Sequence, residues 1–174
     1  MGILISDPGP IFFRQKRAGR YGRPFHMWKF RTMVVDAEAK LKEVKEMQGN
    51  EMSGPVFKLE DDPRVFKFGR LLRKFSIDEV PQFLNVLFGD MSLVGPRPLP
   101  LYEVEEFEKS AHRRRLSVKP GITCDWQVGG RNQITEFEDW VQMDLDYIDN
   151  WSLGRDVKLL IKTVPAVLFG KGAK

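Results

Sequence analysis

Apolar residues recur along this chain with two different periods, and the switch between them outlines the fold. Ile11 to Lys16 and Phe25 to Thr32 read as strands, and Gly19 and Gly22 punctuate the stretch between them, so a β-hairpin is predicted. From Val34 to Gln48 the pattern becomes helical, with Val34, Ala37, Leu41, Val44 and Met47 on one face and Lys and Glu opposite. Residues 49–63 are polar and predict a mobile linker. Helical marks return from Arg64, carried by Phe66, Leu71, Leu72 and Phe75. Ser76 followed by Glu79 has the form of a capping box, which predicts a helix from Ile77 to a stop at Gly89, with Pro81 in its first turn. Asp90 to Pro98 predicts a rigid loop, Leu101 to Ala111 a charged helix, and Thr123 to Val128 a short strand. A second capping box, Thr135 with Glu138, predicts a helix ending near Asn150. The last helix, Arg155 to Phe169, aligns Val157, Leu160, Ile161, Val164 and Leu168 and meets a kink at Pro165. A hairpin followed by mostly amphipathic helices, without β-α-β alternation, is an α+β arrangement in one domain over residues 1–174.

Charge adds a preference for anions. The net charge is only +4, but Arg14, Lys16, Arg17, Arg20, Arg23, Lys29 and Arg31 follow one another without an intervening acid. His112, Arg113, Arg114, Arg115 and Lys119 form a second cluster. Such fields suit phosphorylated ligands, anionic lipid or nucleic acid, and equally a plain solvated face. A single cysteine, Cys124, rules out an internal disulfide and a cysteine metal cage, and predicts a buried thiol in a reducing compartment. No run of about 20 apolar residues is present to span a bilayer, and Met1-Gly-Ile-Leu-Ile lacks the features of a signal peptide.

Candidate chemistry gathers at Asp78. Asp78 and Glu79 fall in the first turn of the predicted helix, where unpaired N–H groups and the helix dipole favour an ionised carboxylate and a phosphate. Taken alone, Ser-x-Asp-Glu is a helix cap. Context points further: Val94-Gly-Pro-Arg-Pro98 presents Arg97 from a stiff loop, and Arg73 lies just upstream. Two carboxylates and two arginines at one helix end have the composition of a magnesium–phosphate site.

The chain resembles the bacterial sugar transferase family, the monotopic polyprenyl-phosphate phosphoglycosyltransferases of exopolysaccharide assembly. The matching stretches are Asp7-Pro-Gly-Pro-Ile-Phe-Phe-Arg-Gln-Lys-Arg17, Lys29-Phe-Arg-Thr-Met33, Leu72 to Gln82, Asn85 to Pro98, Lys119 to Thr123 and Gly130-Arg-Asn132. The resemblance implies transfer of a sugar 1-phosphate from a UDP-sugar, of glucose or galactose type, to undecaprenyl phosphate, with UMP released. It implies Asp78 as nucleophile, Glu79 as the ligand of Mg²⁺, and Arg73, Arg97 and Lys29 as phosphate contacts, with Asp156 lining the same site. The implied partners are the UDP-sugar, the polyprenyl phosphate and the cytoplasmic face of the bacterial inner membrane. A homodimer is compatible with the resemblance, and nucleic acid is not expected. Family members carry an apolar membrane helix before the Pro-Gly-Pro segment. This sequence starts only a few residues before it, so attachment is expected to rest on the basic clusters and the C-terminal helix. Two rival readings are an inactive fragment and a basic nucleic-acid-binding module in which Phe25, Trp28 and Phe30 stack bases. An aspartyl-phosphate phosphatase is disfavoured, since its Asp-x-Asp pair follows a strand.

Overall fold

The computed structural model describes residues 2–59, 61–130 and 134–168. The architecture is α+β, as the periodicity predicts. After a short helix α1 (Gly2–Ser6), strands β1 (Phe12–Ala18) and β2 (Pro24–Phe30) pair antiparallel, with Phe13 opposite Lys29 and Arg17 opposite Phe25. Strand alternation sorts the basic run into two sets. Arg14, Lys16, Arg20 and Arg23 are exposed, while Arg17 and Lys29 share the inward face with Phe25 and Met27. Arg31, also buried, binds Asp7 and the Pro10 carbonyl and so ties the N-terminal segment to the end of β2. Of the aromatics of the rival nucleic-acid reading, Phe25 is buried, while Trp28 and Phe30 are partly exposed and engaged by neighbours on the outer face of the hairpin. Phe25 packs with Met27 and Met91, Phe30 stacks on Phe12 at 5.3 Å, and Trp28 lies under the Arg14 guanidinium.

Several predicted elements are shortened or replaced. The helix expected from Val34 becomes helical only in α2 (Leu41–Gln48), because residues 35–40 form successive turns. The loop over residues 49–63 is no mere polar linker: Met52 and Val56 are buried in the largest core cluster, with Phe107, Cys124, Trp126, Phe137 and Trp140. Trp126 and Trp140 stack at 4.0 Å there, and Cys124 is buried as predicted. Helix α3 (Lys67–Lys74) follows, approaching the end of the hairpin so closely that a Cβ on Gly69 would lie 2.2 Å from the Thr32 carbonyl oxygen. Only glycine permits that approach.

Neither predicted capping box forms. Ser76 adopts a left-handed conformation (φ 52°) rather than the extended one a cap requires, and makes no side-chain cap hydrogen bond. The chain from Ile77 to Glu79 is a single 3-10 turn, and helix α4 (Gln82–Leu87) begins after Pro81. Gly89 does end this helix, at φ 82°. The expected rigid loop from Asp90 contains a short strand, β3 (Ser92–Val94), parallel to β4 (Gly121–Thr123). The charged helix at Leu101 breaks into α5 (Leu101–Glu105) and α6 (Ser110–Arg114). The strand predicted to Val128 stops at Thr123 and gives way to α7 (Asp125–Gly130). Helix α8 (Phe137–Asp149) lacks the Thr135–Glu138 box. Its first N–H, from Phe137, is capped by the Ser53 hydroxyl at 3.0 Å, a residue of the distant loop. Helix α9 (Leu153–Leu168) carries Pro165 within it and buries Leu159, while Val157, Ile161 and Val164 remain exposed. Among the described residues no helix is long and apolar enough to cross a membrane.

Candidate active site

Four elements converge on Asp78. The hairpin's inward face supplies Lys29, the end of α3 supplies Arg73, the 3-10 turn supplies Asp78 and Glu79, and the loop after β3 supplies Arg97. Asn85 fixes the turn against the hairpin. Its amide donates to the His26 carbonyl at 2.8 Å and accepts from the Trp28 N–H at 3.0 Å, so α4 is latched to the edge of β2. Asn85 itself is 1 % exposed, which makes these hydrogen bonds strongly directional constraints.

Asp78 and Glu79 are both buried, and cations surround them. The Lys29 ammonium lies 3.0 Å from Glu79 Oε1 and 3.8 Å from Asp78 Oδ2. Arg97 Nη2 donates to the same Glu79 oxygen at 2.7 Å. With the Gln127 amide oriented to satisfy both its ends, its oxygen accepts from Arg97 Nη1 at 2.7 Å. Arg73 is held by a hydrogen bond from its Nε to Thr32 Oγ1 at 3.0 Å, and its charge acts on Asp78. Asp78, Glu79, Arg73 and Arg97, grouped by sequence position, thus come together in space, with Lys29, which the resemblance added, among them.

The electrostatic footing differs from the one predicted. A three-residue turn has no substantial helix dipole, so the expected protection of the Asp78 carboxylate by a helix end is missing. Burial pushes the Asp78 carboxyl above the ordinary carboxylate range, and Glu79 adds to the rise. Lys29, then Arg73 and Arg97, pull it back toward ionisation. Burial also lowers the Lys29 ammonium, against the pull of Glu79 and Asp78. Arg97 is desolvated too, but its ion pair with Glu79 raises it overall. The ensemble is a compact set of opposed charges largely removed from water.

Asp156 lies elsewhere in the hydrogen-bond network. It accepts from the Tyr147 hydroxyl at 2.8 Å and from the Trp151 indole N–H at 3.1 Å, at the corner between α8 and α9. The matching stretch Gly130-Arg-Asn132 falls mainly on 131–133, outside the described residues. Among the described residues no group of three or more carboxylates, histidines or cysteines gathers to hold a metal. Asp78 and Glu79 would therefore hold Mg²⁺ only together with substrate phosphates, which is the ordinary way Mg²⁺ is bound.

One feature of the site is absent from the sequence reading. The segment from 77 to 88 is inverted: its polar residues Asp78, Glu79, Gln82 and Asn85 face inward, and its apolar residues other than Pro81 and Val86 face out. Val80 and Phe83 are half exposed, and Leu87 and Phe88 are 80 % and 74 % exposed. Ile77 and Leu84 extend the same face. Periodicity revealed two faces, but it carries no sign saying which one is buried. The spacing of Asp78, Gln82 and Asn85 does not supply that sign, because a solvated helix face shows the same polar stripe.

The match to known proteins settles the lineage. The family model described as bacterial sugar transferase matches residues 1–170. The chain belongs to the bacterial sugar transferase family. The chain is 53% identical over 171 residues to the galactosyl transferase CpsE of Streptococcus agalactiae, covering 98% of this chain and 37% of CpsE. It is 48% identical to the sugar transferase EpsL of Bacillus subtilis, covering 98% of this chain and 76% of EpsL. It is 42% identical to the undecaprenyl-phosphate galactose phosphotransferase of Salmonella typhimurium, covering 98% and 36% of the two chains. The sugar transferase thus spans little more than a third of CpsE and of the Salmonella protein, and about three quarters of EpsL.

Proposed function

We propose that this sugar transferase moves a sugar 1-phosphate from a UDP-sugar to undecaprenyl phosphate by way of a covalent aspartyl intermediate. The observation that carries the reading is a buried carboxylate, Asp78, ringed by Lys29, Glu79, Arg73 and Arg97 directly beneath an outward apolar face. The Salmonella relative's name supplies the acceptor and galactose as one candidate sugar; glucose is the other.

In the first half-reaction, an oxygen of the Asp78 carboxylate attacks the sugar-bound phosphorus. The bond from that phosphorus to the bridging oxygen breaks, UMP leaves with the bonding pair, and a sugar-phosphoryl-Asp78 anhydride remains. In the second, an oxygen of the lipid phosphate attacks the same phosphorus. The bond to Asp78 breaks, giving the lipid diphosphate sugar and the free carboxylate. Arg97 and Lys29 exchange their hold on Glu79 for the substrate phosphates, stabilising charge in a site with little water. Lys29, and after it Arg73 and Arg97, draw the Asp78 carboxyl toward the ionised form that attacks, against the penalty of burial. Mg²⁺ bound through Glu79 would neutralise phosphate charge and favour departure of UMP.

The apolar face from Ile77 to Phe88 supports a lipid acceptor. An exposed apolar face on a short helix beside basic residues lies naturally at the level of lipid headgroups, with Asp78 one turn beneath it. This reading adds the apolar face to the basic clusters and α9 as a surface for attachment, on the side of the membrane where nucleotide sugars occur.

The test is UMP release by the full chain, with Mg²⁺, a panel of UDP-sugars and detergent-solubilised undecaprenyl phosphate. Wild-type protein is expected to release UMP and Asp78→Asn to release none. With lipid omitted, mass spectrometry should find a sugar-phosphate adduct on the peptide containing Asp78. Undiminished release by Asp78→Asn would remove Asp78 as nucleophile.

A further inference from the structure

Arg17 takes no part in the arrangement above, yet it contacts the segment that carries Arg97. It stands on the inward face of β1, the face that Lys29 shares on β2. Its Nη1 donates to the Pro98 carbonyl at 2.9 Å, the Ala18 N–H donates to the Leu99 carbonyl at 3.0 Å, and Arg17 bridges Pro100 in antiparallel fashion. All three contacts fall immediately after Arg97.

The reason for this side-chain contact lies in the sequence. Pro96, Pro98 and Pro100 have no N–H, so the segment offers a neighbouring strand carbonyls but few donors. An ordinary ladder cannot form along it. Backbone pairing is limited to the Ala18–Leu99 hydrogen bond and the Arg17–Pro100 bridge, and the Arg17 guanidinium adds a further donor from the side.

That guanidinium sits in an unfavourable place. Burial and then the like charge of Arg97 lower its pKa to about 10, and its Nε is buried without a partner among the described residues. Glu103, then Tyr102 and Glu79, act in the opposite direction and favour the charged guanidinium. The backbone atom it holds, the Pro98 carbonyl, belongs to the residue next to Arg97.

We propose that Arg17 is a positioning residue for Arg97, anchoring the Pro98 carbonyl to the hairpin so that the Arg97 guanidinium stays over Glu79 and is presented to the substrate phosphate. The guanidinium of Arg97 is then located from two directions, by Glu79 and Gln127 at its tip and by Arg17 through its backbone. This inference rests on the proposed phosphate site at Asp78. It adds that the hairpin and the Gly-Pro-Arg-Pro loop act as one binding unit.

The experiment is a double-mutant cycle on the full chain: wild type, Arg17→Met, Arg97→Met and the double variant. KM for the UDP-sugar is read from UMP release, and the affinity for UMP from calorimetry. Arg17→Met is expected to raise KM about tenfold with a much smaller change in kcat, and to have almost no effect once Arg97 is already Met. Arg17→Lys should recover most of the loss, since an ammonium still donates to the Pro98 carbonyl. An equal loss in both backgrounds would show that Arg17 acts on its own and overturn the proposal, as would an Arg17→Met protein with unchanged KM. Should Arg17→Met unfold, the cycle is run with Arg17→Gln, which retains a donor of shorter reach. A wild type that releases no UMP defeats the proposed reaction, while the UMP-affinity cycle still decides on Arg17. A wild type that does not bind UMP at all removes both.

Discussion

Glu103 on α5 is predicted to make the fold less stable as pH rises from about 4.5 to about 7. The residue is 4 % exposed. Its Oε1 accepts the Phe57 N–H at 3.4 Å, and its Oε2 has no hydrogen-bond partner among the described residues. Burial pushes its carboxyl from the ordinary 4.5 to about 7, with Glu106 adding to the rise and Arg17, the Phe57 N–H and Lys45 opposing it. A raised folded-state pKa means the folded protein binds the proton more tightly than the unfolded chain does. Below about pH 4.5 the carboxyl is protonated in both states and the ionisation penalty is absent. The penalty grows between 4.5 and about 7 and is complete above that. A shift of this size corresponds to about 3 kcal/mol. In Glu103→Gln the amide oxygen keeps the Phe57 hydrogen bond and the charge is gone, but a buried NH₂ takes the place of Oε2, which offsets about 1 kcal/mol. The variant should therefore be more stable than wild type by about 2 kcal/mol at pH 8, a rise in Tm of roughly 4–8 °C for a domain of this size. At pH 4.5 the advantage should vanish or reverse. Urea and thermal denaturation at pH 4.5, 6 and 8 provide the measurement. A Glu103→Gln advantage that is the same at all three pH values, or absent at pH 8, would refute the assignment of a buried, protonatable Glu103.

Two further outcomes follow from the site's surroundings. Asn85→Ala removes the latch between α4 and β2 and leaves the Trp28 N–H and His26 carbonyl without their side-chain partner; a loss of about 2–3 kcal/mol is expected in urea denaturation, and a loss below about 0.5 kcal/mol would show that the latch is dispensable. Leu87→Asp with Phe88→Asp changes two side chains that are mostly exposed, so folding and adduct formation on Asp78 should persist. Sedimentation with phosphatidylglycerol vesicles and transfer to undecaprenyl phosphate should both fall sharply, and unchanged vesicle binding would remove the apolar face as a membrane surface.

The reach of the sequence differs from one part of the molecule to another. The hairpin was legible because strand alternation and two turn glycines are local signals, and the same alternation put Lys29 on the inward face of β2. Helices α3, α8 and α9 were legible in outline for the same local reason. The caps were not. A capping box depends on the backbone conformation of its first residue, and Ser76 is turned into the left-handed region while Phe137 takes its cap from Ser53, more than eighty residues away in sequence. Nor was the packing of Met52 and Val56 visible, since a polar loop can be drawn into a core by two apolar side chains whose partners lie on α7 and α8.

At Asp78 the division is sharper. Residue identities determined that two carboxylates and two arginines could serve phosphate chemistry, because charge and hydrogen-bonding capacity belong to side chains wherever they sit, and Lys29 was added only by the family resemblance. Only the tertiary structure decided how that chemistry is powered: not by a helix dipole, which a three-residue turn cannot supply, but by Lys29, Arg73 and Arg97 arriving from three other elements to oppose the penalty of burial. It also decided which way the 77–88 segment faces. An amphipathic pattern is symmetric with respect to inside and outside, and only the packing of Gln82 and Asn85 against the hairpin turned the polar stripe inward and left Phe83, Leu87 and Phe88 exposed.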